Sequence, residues 1–98
     1  MKSATIHRPS EAALSIIARK AQDKSIREAI QSGQIESIGI CQGSVLEIIV
    51  ASDIAEKTSD VMAGEISGSC PQHMTSLVVL GKTSAVTAAV DAIKVMKI

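Results

Sequence analysis

The chain has 98 residues, ten Lys and Arg against ten Asp and Glu, and no Phe, Tyr or Trp. That length supports one domain, whose core must be filled by aliphatic side chains and Ala. Neutral charge without a basic stripe argues against duplex nucleic acid, and the missing aromatics remove the stacking platforms that single strands use.

The first residues lack the apolar segment of a secretory signal, and no apolar run approaches the roughly 20 residues that span a bilayer. A cytoplasmic protein without a membrane partner is therefore expected. Its two cysteines read as free thiols or metal ligands rather than as a disulfide framework.

Residues 1–11 read as a flexible leader broken by Pro9, and residues 12–98 as one folded domain. Ala12–Arg19 reads as a strand, because Leu14, Ile16 and Ala18 alternate with Ser15, Ile17 and Arg19. Asp23 is placed to cap a short helix with Ile26, Ala29 and Ile30 on one face, and Gly33 is placed to stop it. Ile35–Gln42 follows as a strand with Ile38 and Ile40 on one face and Ser37, Gly39 and Cys41 on the other. On that small-residue face Cys41 reads as a buried, inert hydrophobe.

Ser44 and Glu47 form a capping-box pattern opening a helix. Val45, Ile48, Ile49, Ala51, Ile54 and Ala55 give this helix an apolar stripe wider than one sheet face needs, so part of it is expected to meet another subunit. Asp53 and Lys57 stand four apart, acid first, as a surface pair worth roughly 0.3–0.5 kcal/mol. Val61–Ile66 and Thr75–Leu80 read as a hairpin with an enlarged turn, stopped by Gly81. Thr83 or Ser84 is placed to cap a last helix carrying Val86, Ala89, Val90 and Ile93. The order β-α-β-α-β-β-α predicts an α+β sandwich, a four-stranded antiparallel or mixed sheet with helices packed on one side.

The hairpin turn holds the densest ligand chemistry: Ser67, Gly68, Ser69, Cys70, Pro71, Gln72 and His73. Gly68 and Pro71 punctuate it, while Cys70 and His73 are soft ligands. One Cys-x-x-His per chain is too few ligands for a metal. Serines, carboxylates and histidines elsewhere show no nucleophile–base pattern, so no enzyme is expected. Two readings from the residues alone stay open: a zinc-binding interface in which Cys70 and His73 from two chains form a Cys₂His₂ set, and a small regulatory domain that binds a metabolite at a dimer interface.

From Ile38 to Ile93 the chain resembles the shell-protein domain of bacterial microcompartments. The resemblance rests on Ile38-Gly39-Ile40, on Ala51-Ser52-Asp53-Ile54-Ala55-Glu56-Lys57, on Gly68-Ser69-Cys70 where many members carry a Gly-Ser-Gly pore loop, and on Leu77–Gly81 leading to Ser84–Ala92. Elements that typical members place after the last long helix stand before Ile35 here, which resembles the circularly permuted class. The resemblance implies a homohexamer that tiles edge to edge with other shell hexamers. Lys57 matches the family's edge lysine. Arg19 falls at its edge arginine, without the flanking prolines, since Ala18 and Lys20 stand there instead.

The same resemblance implies that Ser67–His73 lines a central pore, so that one Cys70 per chain becomes six around an axis. A four-iron cluster needs four thiolates. The chain is similar to the U-type shell proteins of glycyl-radical propanediol compartments, whose Cys-Pro pore loop is associated with iron–sulfur binding. This implies a [4Fe-4S] cluster, shared among subunits through Cys70, for electron transfer or cluster transport across the shell. His73 is then a donor to cluster sulfurs, a pore-lining group or a solvated loop residue. A plain solute-conducting tile is the alternative within the family.

Overall fold

The computed structural model describes residues 1–66 and 74–97. In chain order the elements are β1 (Lys2–His7), α1 (Glu11–Lys20), α2 (Lys24–Gln31), β2 (Ser37–Ser44), α3 (Val45–Thr58), β3 (Met62–Ile66), β4 (Met74–Gly81) and α4 (Thr83–Lys94). The strands form one antiparallel sheet in the order β1-β2-β4-β3. The expected hairpin is present as β3–β4, with Ile66 opposite Ser76.

Side-chain alternation along β2 and β4 divides the core. Cys41, Leu77 and Val79 face α3 and α4, packing with Ile48, Ala51, Ala55, Val86, Ala89, Val90 and Ile93. Ile38, Val78 and Leu80 point the other way, toward Ile17, Ala21, Ile26 and Ile30 of the α1–α2 segment. Helices therefore cover both faces, not one as the sequence suggested. Both central strands carry apolar residues on both sides, the pattern of a doubly covered sheet.

Two segments differ from expectation at the N-terminus. Lys2–His7, read as part of a flexible leader, is an edge strand in register with β2, from Lys2 opposite Gln42 to His7 opposite Ser37. Residues 12–19, read as a strand, lie within helix α1. The Ser10 hydroxyl accepts a hydrogen bond from the Ala13 amide at 3.2 Å, Glu11 occupies the first turn, and Arg19 and Lys20 the last. Each choice favours a helix in its dipole and its caps. Burial settles the period: Ile17 is 4 % exposed and Ile16 45 %, the reverse of the side on which a strand with Leu14, Ile16 and Ala18 inward would bury them.

Other local signals act as the sequence implies. Asp23 sits at the N-cap of α2 but makes no side-chain cap bond, while Gly33 takes φ +75° just beyond the helix end, where glycine carries no Cβ penalty. The capping box of α3 is complete, with Glu47 N to Ser44 Oγ at 3.1 Å and Ser44 N to Glu47 Oε1 at 2.8 Å. Helix α4 is capped differently: Lys82 holds the N-cap position, and Glu36 Oε1 accepts from the Thr83 amide at 3.2 Å. The Thr83 hydroxyl meets buried Ser37 Oγ at 2.7 Å, and Ser37 Oγ lies 3.1 Å from His7 Nδ1. Neither Thr83 nor Ser84 caps its own helix, because the carboxylate comes from the chain before β2.

Helix α4 lies close against β2 because Gly39 lacks a side chain. A Cβ there would stand 2.5 Å from Val90 Cγ2 and 3.3 Å from Val86 Cγ1. Both valines are buried and, being β-branched in a helix, hold one χ1 rotamer. Gly39→Ala should thus destabilise the fold by about 1–3 kcal/mol through overpacking, read as a lower denaturant midpoint. The Glu36 carboxyl is held below its usual range by hydrogen bonding to the Thr83 hydroxyl and amide, and Glu47 by hydrogen bonding to Ser44. Their folded forms favour the charged state, so this stabilisation is full above the ordinary carboxylate value of 4.5 and is lost as pH falls through the depressed ones. Thermal unfolding of Glu36→Gln/Glu47→Gln should accordingly show a shallower loss of Tm on acidification than the parent chain.

Candidate functional site

The two strands that carry the Cys70 loop end at Ile66 and begin again at Met74. Residues 67–73, with Ser67, Gly68, Ser69, Cys70, Pro71, Gln72 and His73, lie outside the described residues. Their stems are defined. Met74 stands opposite Ser44, the last residue of β2 and the N-cap of α3. Lys2 pairs with Gln42, so β1 begins at that same end of the sheet. The C-terminal end of α4 arrives there as well, since Ile93, Lys94, Met96 and Lys97 share a concavity of about 440 Å³ with Met1, Ser3 and Glu47.

Apolar exposure concentrates at this end. Among the described residues, Met1, Val45, Leu46, Ile49, Met74 and Val95 are exposed here, Ile49 at 62 % and Val95 at 75 %, while Ile16 and Met62 are exposed elsewhere. Val45 and Ile49 also border a second concavity of about 370 Å³, floored by Ala63, Leu77 and Ile48 and flanked by Asp23 and Glu65. The α3 stripe thus splits in two: Ile48, Ala51 and Ala55 enter the core with Ile54 packed against it, while Val45 and Ile49 do not. The stripe's excess width is legible in the sequence, and the charged groups beside it are not. Asp23, Glu65 and the Lys94–Lys97 segment are remote from one another in sequence, and only the sheet order relates them.

Cys41 has the environment expected of it. It is fully buried, opposite Ser3 and Leu77, and burial pushes its thiol pKa up against the opposing charge of Lys94. A thiol so held is a poor ligand and a poor nucleophile. Among the described residues no group of three or more His, Cys, Asp or Glu gathers as a metal site, and no helix is long and apolar enough to cross a membrane.

The residues expected at a tile edge separate. Lys57 Nζ lies 2.9 Å from Asp53 Oδ2 on α3, both side chains largely exposed. Arg19 is exposed in the last turn of α1, the helix layer on the opposite face of the sheet from α3. The other histidine, His7, is not in a loose leader but at the end of β1, against Ser37.

Residues 32–96 match the BMC domain family. No curated protein matches the chain significantly. Among solved structures, the ligand-free GrpU microcompartment shell protein from Pectobacterium wasabiae is similar at 26 % identity over 95 % of this chain and 99 % of that one, with a TM-score of 0.74. The ligand-free GrpU shell protein from Clostridiales bacterium 1_7_47FAA gives 28 % identity, 96 % and 88 % coverage, and a TM-score of 0.68. The fused permuted hexameric shell protein MSM0275 from the RMM microcompartment gives 25 % identity and a TM-score of 0.71, with 94 % of this chain matching 42 % of that longer one. With the matched family spanning most of the sequence and the fold shared nearly end to end, the chain belongs to the BMC-domain family of microcompartment shell proteins.

Proposed function

We propose that six copies of the chain close into a flat shell tile that meets other hexamers edge to edge, with residues 67–73 around a central pore where an iron–sulfur cluster binds through Cys70. The observation that carries this reading is the burial of Cys41. Of the two cysteines, one is sealed in the core, which leaves a single candidate thiol per chain, borne on a hairpin turn. A [4Fe-4S] cluster requires four thiolates, so the donor set fits only if at least four chains share it. Cyclic symmetry supplies that sharing, at the cost of leaving two of six thiols unused. When bound, such a cluster would supply one-electron redox chemistry. The role we propose for it is electron transfer or cluster passage across the shell.

Anaerobically purified protein should be brown, with about four irons and four sulfides per hexamer. Cys70→Ser should lose both colour and iron, whereas Cys41→Ala should keep them. Colourless anaerobic protein holding stoichiometric zinc would sink the cluster assignment in favour of a Cys/His zinc interface.

The exposed Asp53–Lys57 pair lies on α3, whose other face is in the core. As a surface pair it contributes little to folding, on the order of 0.5 kcal/mol or less. Lys57→Ala should therefore leave the Tm and the hexamer nearly unchanged while abolishing extended sheets in electron micrographs. Sheets that persist in this variant would remove Lys57 from the tile edge.

A further inference from the structure

At the end of the sheet remote from the Cys70 stems, four side chains make one continuous series of polar contacts. His7, the last residue of β1, stands opposite Ser37 at the start of β2, and Ser37 stands opposite Gly81 at the end of β4. His7 Nδ1 lies 3.1 Å from Ser37 Oγ, and Ser37 Oγ lies 2.7 Å from Thr83 Oγ1. Glu36 closes the series: Oε1 accepts the Thr83 amide at 3.2 Å, and the carboxylate also accepts the Thr83 hydroxyl. The two ends, His7 and Glu36, are exposed. Ser37 between them is fully buried, so its hydroxyl must find its partners inside the series.

Counting protons gives the series a direction. Three contacts link the four side chains, and each needs one proton. The Ser37 and Thr83 hydroxyls hold one apiece, and an ionised carboxylate holds none. The third proton therefore comes from His7. The carboxylate sets the order, because hydrogen bonds to an ionised acceptor are about twice as strong as neutral ones. Thr83 donates to Glu36, Ser37 donates to Thr83, and His7 Nδ1–H donates to Ser37. The hydrogen bonds from Thr83, and then the charges of Lys82 and Arg8, keep Glu36 in the ionised form that this order requires.

From this count we infer that Glu36, acting through Thr83 and Ser37, holds the proton of His7 on Nδ1 and presents Nε2 as a bare, positioned proton acceptor. Among the described residues only Nδ1 of this ring is hydrogen-bonded. Neutral imidazole in water prefers its proton on Nε2, so the fold reverses that choice. A proton sits on Nδ1 in both the neutral and the charged ring. His7 can thus take up and release a proton at Nε2 without disturbing the buried hydroxyls. One nitrogen oriented by a hydrogen bond and the other left open is the arrangement in which histidine serves as a general base. The remaining charges at this corner, Arg8 and Lys82, are cationic, so the open nitrogen suits a proton donor rather than a metal ion. Glu36, Thr83 and Ser37 are positioning residues, since they act only through the ring of His7.

Long-range proton–nitrogen NMR correlation on nitrogen-labelled protein tests the assignment, with His7→Gln to identify the His7 signals. At a pH where the ring is neutral, the parent chain should show the proton on Nδ1 and a bare Nε2. Glu36→Ala and Thr83→Val, checked for folding by circular dichroism, should each shift the tautomer ratio toward Nε2–H by about tenfold, the effect of one hydrogen bond to a charged group. Glu47→Gln, which alters a different cap, should leave the ratio unmoved. A parent ring protonated on Nε2 overturns the inference without recourse to any variant. So does a ratio that stays put in Glu36→Ala or in Thr83→Val, or one that moves as far in Glu47→Gln. The measurement needs a folded chain and no assembly, so its outcome is independent of the ring and of the cluster proposed at Cys70.

Discussion

Everything in this fold depends on the antiparallel pairing of β2 with β4, two strands that are buried on both faces. Gly39 opposite Val79 and Cys41 opposite Leu77 present a low surface on one side, onto which α4 settles through Val86 and Val90. Ile38 opposite Leu80 presents a taller surface to the α1–α2 layer. A strand pair of this kind cannot slip by one residue, since the slip would drive isoleucine into the space cleared by Gly39. The fixed register in turn fixes where β4 begins relative to the end of β2. Met74 is set beside Ser44, and with it the end of the sheet at which the Cys70 turn is carried.

The sequence was most legible where a signal is local and chemically specific. The Ser44–Glu47 capping box, Gly33 beyond α2, and the β3–β4 hairpin are each set by residues a few positions apart. The burial of Cys41 was legible too, because its strand face holds only Ser37 and Gly39 beside it. Legibility failed where two periods fit the same letters. In residues 12–19 the alternation of Leu14, Ile16 and Ala18 resembles a strand, yet Leu14, Ile17, Ala18 and Ala21 also fall at helical spacing, and the Ser10–Glu11 start decides between them. Strand β1 gave almost no periodic signal, since an edge strand is covered on its faces only in part and its identity comes from a partner some 35 residues away. The Glu36 cap on Thr83 was invisible for a related reason: a cap supplied from a distant segment leaves no mark in the residues around the helix it caps.

The candidate site shows the same division. The hairpin turn could be located from its flanking strands, and the soft ligands within it are plain in the letters. What surrounds it could not be read, because Asp23, Glu65 and the pair Lys94 and Lys97 belong to three different stretches. A residue's role at such a surface depends on which strand ends next to which, and strand order is a property of the assembled sheet. The permuted chain order makes this harder still, since β1 and α4, the two ends of the sequence, lie together.

Net charge and apolar exposure combine to favour assembly over solitude. A monomer with equal numbers of Lys/Arg and Asp/Glu has little long-range repulsion to keep copies apart, and most of its exposed large hydrophobic groups, though not Ile16 and Met62, lie at one end. Such a patch left in water carries a hydrophobic cost on the order of 25 cal/mol for every Å², so burial between copies is driven by area. Area alone has no direction, however, and would accept aggregation as readily as a ring. Direction has to come from the polar groups beside the patch, where Lys94 and Lys97 share one concavity with Glu47 and the other holds Asp23 and Glu65. If copies close into a ring, the donor set open to a metal is fixed by how those copies recognise one another.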